Sequence, residues 1–124
     1  MPRILIVEDN ESLRMLIEAV LEQQGFTVVP VTNGEEAFQL LRKDAHFDAL
    51  MSDILMPEMD GLHLISLVRR HFPTIPIIIT SAYVYRLQQA RTLGAAQFLH
   101  KPFSNSQLVD VVRMVLQPPA AAAV

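Results

Sequence analysis

The sequence predicts an α/β fold, a five-stranded parallel sheet with helices on both faces. Two observations carry that expectation. Strand-like and helix-like segments alternate five times along the chain. The first, third and fourth strand candidates are nearly continuous apolar runs, the pattern of strands buried on both faces. Successive βα units of this kind build a parallel sheet through right-handed crossovers. A length of 124 residues suits one domain with one core.

The strand candidates, in chain order, are Arg3–Val7, Thr27–Val31, Asp48–Ser52, Ile77–Thr80 and Gln97–His100. After the first comes a helical stripe of Leu13, Leu16, Ile17, Val20 and Leu21, stopped at Gly25. Ala37, Phe38 and Leu41 mark the second helix, and Leu64, Ile65 and Val68 the third, which ends at Phe72-Pro73. The fourth has only Leu87 and Ala90 before Gly94. The fifth is strongly patterned by Leu108, Val111, Val112, Val115 and Leu116, with Ser104 or Asn105 as its cap. The domain is expected to span residues 1–117, followed by a flexible Pro/Ala tail over 118–124.

Composition narrows the functional classes. Apolar residues make up 51% of the chain, too many for a disordered segment. Cysteine is absent, which excludes disulfides and thiolate metal sites and fits a cytoplasmic setting. The start, Met1-Pro2-Arg3, lacks a signal-peptide layout, and no apolar run approaches the roughly 20 residues of a membrane span. The net charge is −3 and the basic residues are scattered, so direct nucleic-acid binding is not expected.

The polar residues at the strand ends are the informative ones. Glu8 and Asp9 close the first run, Asp53 the third, and Lys101 the fifth. Parallel neighbours would bring these ends to one edge, where open α/β sheets bind ligands. Carboxylates gathered there repel one another by roughly 4 kcal/mol per close pair at an effective dielectric of 20. A bound divalent cation or raised pKa values must offset that. Asp9 also suits the first helix cap, but Asn10 serves equally well. Pro57 and Gly61 stiffen the loop after Asp53 and give it one permissive backbone point. Asp48 and Asp60 read as loop or cap acids, and the four histidines show no metal-ligand spacing.

Four segments, Val7-Glu8-Asp9-Asn10, Asp53 through Gly61, Thr80-Ser81-Ala82 and Lys101-Pro102-Phe103, stand in an order and spacing that resembles the receiver domain of two-component response regulators. The resemblance runs from Arg3 to about Leu116 and is nearest to the single-domain, chemotaxis-regulator-like members. It implies a flavodoxin-like (βα)5 three-layer sandwich with strand order 2-1-3-4-5. It implies that Asp53 is the phospho-acceptor and that Lys101 and Ser81 contact the phosphoryl group. Ser81 and Phe98 would form the switch, and the Lys101-Pro102 bond would be cis. It also implies Mg²⁺ (or Mn²⁺) held by Asp9, Asp53 and the Leu55 carbonyl, with Glu8 acting through water. The phosphoryl group would come from a sensor histidine kinase or phosphotransfer protein. An output protein would read the face made by the fourth helix, fifth strand and fifth helix, with the chain a monomer or a phosphorylation-linked dimer. Such a domain catalyses only its own phosphorylation and dephosphorylation, and is a switch rather than a metabolic enzyme.

Three departures from the pattern matter. The segment from Ser81 to Gly94 is about two residues shorter than usual, which puts the fourth helix in question. Phe98 replaces the commoner tyrosine and has no ring hydroxyl. Leu55 and Tyr83, two residues beyond Asp53 and Ser81, are bulky enough to hinder an attacking water. Two other classes share the topology. A flavin or nucleotide domain needs glycine and hydroxyl residues after the first strand, where this chain has Glu8-Asp9-Asn10-Glu11. An aspartyl-phosphate phosphatase needs an acid two residues after its nucleophile, where this chain has Leu55.

Overall fold

In the computed structural model, residues 1–54 and 59–116 are described. Five strands alternate with five helices: β1 (Arg3–Val7), α1 (Glu11–Gln23), β2 (Thr27–Val31), α2 (Gly34–Lys43), β3 (Ala49–Asp53), α3 (Gly61–His71), β4 (Ile77–Ser81), α4 (Val84–Thr92), β5 (Gln97–His100) and α5 (Asn105–Leu116). The strands form one parallel sheet in the order β2-β1-β3-β4-β5, the flavodoxin-like arrangement expected. Leu55, Pro57 and the tail from Pro118 to Val124 lie outside the described residues.

The apolar runs are continuous because successive side chains serve opposite layers. Leu5, Val7, Leu50, Ile77 and Ile79 pack against Ala37, Leu41, Leu64, Ile65, Val68 and Ala90, on the side of α2, α3 and α4. Ile4, Ile6, Ala49, Met51, Ile78 and Leu99 pack against Ile17, Val20, Leu21, Leu108, Val111 and Val112 on the side of α1 and α5. Pro30 is tolerated within β2 because that strand is an edge.

Side-chain caps fix where most helices begin. Asn10 accepts from Leu13 N at 2.8 Å, Asn33 from Glu36 N at 2.7 Å and Asp60 from His63 N at 2.9 Å. At α5 Ser104 is the cap rather than Asn105: its Oγ accepts from Gln107 N while Gln107 Oε1 accepts from Ser104 N. This reciprocal pair satisfies two otherwise orphaned donors.

Some boundaries and faces differ from expectation. β3 begins at Ala49 and includes Asp53, and β4 includes Ser81. Leu16 is 46% exposed, not part of the buried stripe. One residue of helix rotates a side chain by about 100°, and Ile17, Val20 and Leu21 already fill the packed face. Asp48 caps the β1 entry, its carboxylate accepting from Arg3 N at 2.7 Å.

Asp44 gathers three donors, His46 N at 3.0 Å, the His46 ring at 2.9 Å and Arg3 Nη1 at 3.0 Å. The backbone bond from His46 leads in lowering its pKa to about 2, followed by the His46 ring and Arg3. Its contribution to stability is therefore present above the ordinary value of 3.8 and is lost as pH falls through about 2. An NMR titration should find the Asp44 midpoint near 2, and Arg3→Ala should move it partway back up. A midpoint at the ordinary carboxylate value would contradict this.

Candidate functional site

The alternation that builds the two cores also aims the polar strand ends. On the α1–α5 side, Ile4 and Ile6 lead in phase to Glu8, Ala49 and Met51 to Asp53, and Leu99 to Lys101. The ladder continues one residue past β1 and β5, through Glu8 N to Val31 O at 3.2 Å and Lys101 N to Ser81 O at 2.8 Å. Residues far apart in sequence are thus fixed by backbone pairing at one edge.

There the carboxylates of Glu8, Asp9 and Asp53 each offer an oxygen within 4.8 Å of the others. Glu8 and Asp53 are 2% and 8% exposed, while Asp9 faces solvent. Lys101 Nζ donates to Asp53 Oδ2 at 2.9 Å and to Glu8 Oε1 at 3.1 Å. One ammonium thus bridges two buried carboxylates, and the three carboxylates offer hard oxygen donors that suit a divalent cation of the Mg²⁺ type. Asn10 has taken the α1 cap, leaving Asp9 available to the cluster.

Burial raises the Glu8 pKa most; the bond from Asn10 N at 3.1 Å and the Lys101 charge pull it down without cancelling that, while Asp53 adds to the rise. Burial works on Lys101 in the opposite sense, pushing it down. The bond to Asp53 and the charges of Asp53 and Glu8 outweigh this, and the net pKa of Lys101 is raised. The lysine stays charged because its carboxylates stay beside it.

Ser81 lies at the same edge. Thr80 is the register partner of Asp53, so Ser81 stands one residue beyond it. Its hydroxyl is buried and accepts from Tyr83 N at 3.0 Å. Phe98 pairs with Ile79, is half-buried and carries the Arg91 guanidinium 5.0 Å above its ring centroid. The Lys101–Pro102 peptide bond is cis. Gly61 does not have a positive φ, unlike Gly25 and Gly94. Its constraint is crowding: an added Cβ would lie 2.4 Å from Asp53 O and 2.8 Å from Ile54 Cα. Gly61 N also donates to Ile54 O at 2.7 Å, tying the start of α3 to the residue after Asp53.

The sequence reading missed Arg14, whose Nη1 donates to Glu8 O at 2.9 Å and holds the β1–α1 turn. Only its place four residues after Asn10, one turn into α1, signals that reach. An apolar hollow of about 400 Å³ beside Lys101, lined by Leu13, Leu16, Ala82, Pro102 and Phe103, was also not anticipated.

Comparison with known proteins agrees with this geometry. The family model described as the response regulator receiver domain matches residues 4–113. The chain is 38% identical over 112 residues to the response regulator protein FleR of Pseudomonas aeruginosa, covering 89% of this chain and 24% of FleR. It is 34% identical over 119 residues to the transcriptional regulatory protein CpxR of Escherichia coli K12, covering 94% of this chain and 50% of CpxR. The chain thus spans about a quarter to a half of the curated relatives it matches. Among solved structures, the chemotaxis response regulator CheY4 of Vibrio cholerae superposes with a TM-score of 0.87 at 29% identity, covering 94% of this chain and 99% of that one.

Proposed function

Because this chain belongs to the response regulator receiver domain family, we propose that it accepts a phosphoryl group on Asp53 and changes its affinity for an output protein. The observation that carries the reading is the meeting of Asp53 with Lys101 at 2.9 Å inside a cluster of three carboxylates. A carboxylate needs no deprotonation at neutral pH, so Asp53 is ready to attack. An Asp53 oxygen forms the new P–O bond. The P–N bond of a donor phosphohistidine breaks, and its electron pair stays with the imidazole. The transfer asks mainly for position and charge compensation. Lys101 supplies a point charge on a flexible stem, and Ser81 a hydroxyl able to turn toward the new anion. Mg²⁺ (or Mn²⁺), held by Asp9, Asp53 and the Leu55 carbonyl with Glu8 through water, would supply neutralisation of the phosphoryl oxygens.

The donor in this reading is a sensor histidine kinase or phosphotransfer protein, and the output partner binds the α4–β5–α5 face. Receiver domains are generally not enzymes of metabolism, and turnover here is confined to the phosphoryl group on Asp53. No helix among the described residues is long and apolar enough to cross a membrane. Membership of the receiver family supports a cytoplasmic location in this reading.

Intact mass after incubation with acetyl phosphate and Mg²⁺ is the direct test. Wild type should gain one phosphoryl adduct and Asp53→Asn none. Absence of the adduct in wild type, or its persistence in the variant, would remove the reading. Tyr83 is 48% exposed and bonded through its N–H to Ser81, and in this reading its bulk hinders an attacking water. Tyr83→Ala, and Leu55→Asn separately, should shorten the lifetime of the adduct severalfold. Unchanged decay in both variants would show that their bulk does not protect the acyl phosphate.

A further inference from the structure

α4 is the least anchored helix of the fold. It buries Ala90 alone, where α3 and α5 each bury four residues. No side chain caps its start, whereas Asn10, Asn33, Asp60 and Ser104 cap the others. A hollow of about 250 Å³ lined by Val84, Leu87, Gln88, Arg91 and Phe98 leaves its seam with the sheet incompletely filled. Helices with few buried apolar contacts sit at the low end of local stability.

Polar contacts hold it instead. At the first turn, the Arg86 guanidinium lies 3.9 Å from the carboxylate of Asp60, and Tyr83 N reaches the Ser81 hydroxyl at 3.0 Å. At the last turn, Arg91 lies over the Phe98 ring. Each contact lands on a residue joined to the phosphoryl site. Asp60 caps α3, whose Gly61 is bonded to Ile54 beside Asp53. Phe98 lies on β5, which runs on to Lys101. Arg86 Nε is buried with no partner among the described residues.

We propose that Arg86 and Arg91 are a pair of clasps, one at each end of α4, that hold the helix docked and set how readily phosphorylation releases it. The inference rests on the phospho-acceptor reading for its second half only. When the Ser81 hydroxyl turns to a phosphoryl oxygen, Tyr83 N loses its acceptor, and the two arginines are then the side-chain polar contacts that retain the helix beside the packing of Leu87 and Ala90. Weakening them favours the released state before phosphorylation. Phosphorylation that proceeds from the released state then speeds up in proportion to that state's population.

Hydrogen exchange on the full chain, without any phosphodonor, reads the clasps directly. In Arg86→Gln/Arg91→Gln, exchange of α4 amides should rise about fivefold with α1 and α5 unchanged. Arg91→Lys keeps a cation over the ring and should restore part of the protection in the same background. Unchanged α4 exchange overturns the proposal, as does an equal rise in α1 and α5, which would mark general destabilisation. With acetyl phosphate and Mg²⁺, the double variant should reach its Asp53 adduct about threefold faster than wild type. Faster α4 exchange with an unchanged rate would overturn the coupling. If wild type forms no adduct, the phospho-acceptor reading fails while the exchange result still decides the clasps.

Discussion

Gly61→Ala is expected to destabilise the domain by about 3 kcal/mol, at the upper end of overpacking costs. The added Cβ would meet Asp53 O at 2.4 Å and Ile54 Cα at 2.8 Å, and both obstacles are backbone. No rotamer change relieves such a contact; either α3 or the end of β3 must move. The hydrogen bond from Gly61 N to Ile54 O at 2.7 Å resists that separation. Gly25→Ala is the informative control. Gly25 has φ +92° with nothing within 4 Å of the added carbon, so it meets a backbone preference without a clash, at about 1 kcal/mol. Urea unfolding should therefore rank Gly61→Ala well below Gly25→Ala, and thermal unfolding should show a drop of roughly 10 °C for the former. Equal stabilities would show that the β3–α3 junction relaxes freely. Because the displaced atom is the carbonyl of Asp53 itself, metal affinity should fall along with stability.

Gly61 also marks what a sequence can and cannot disclose. That a glycine is needed after Asp53 is visible locally, from the Pro57-to-Gly61 spacing. Why it is needed is not, since the crowding arises where α3 returns against the end of β3. The acidic residues and Lys101 were legible because a parallel sheet turns strand ends into neighbours, and period-two alternation selects their face. Glu8, Asp53 and Lys101 continue the phase of Ile6, Met51 and Leu99, a relation readable from the apolar runs alone. The exposure of Leu16 was hidden because its stripe has more apolar residues than the α1–α5 contact accommodates. The bond between the Ser81 hydroxyl and Tyr83 N follows from a short β4–α4 turn, whose path no periodicity encodes. α4 was seen as weakly patterned, and it forms where Leu87 and Ala90 place it, with polar side chains supplying the anchoring that apolar ones do not.

Lys101→Met is expected to have the second large effect, and its size should depend on metal and pH. Lys101 is one-fifth exposed and bridges carboxylates that are nearly inaccessible. Removing it leaves Glu8 and Asp53 facing each other without a cation, and breaking such a pair costs about 2 kcal/mol after allowance for its partial exposure. Glu8 has a raised pKa chiefly through burial. Its contribution to stability is therefore fully present below the ordinary value of 4.5 and is lost as pH rises through the raised one. In chelator, wild type should lose stability over that window. In Lys101→Met the loss should extend to higher pH, because the charge and hydrogen bond that pull the Glu8 pKa down are gone. Mg²⁺ should recover much of the deficit above the window and little below it, since a protonated Glu8 needs no compensation. Phosphorylation should nevertheless stay slow in the variant, by about a hundredfold, because charge compensation at a developing anion is lost. Stability measured against pH, with chelator and with Mg²⁺, separates the two roles. A variant as stable as wild type in chelator at neutral pH would show that the carboxylates do not depend on Lys101. A variant phosphorylated at the wild-type rate would show that the transfer does not.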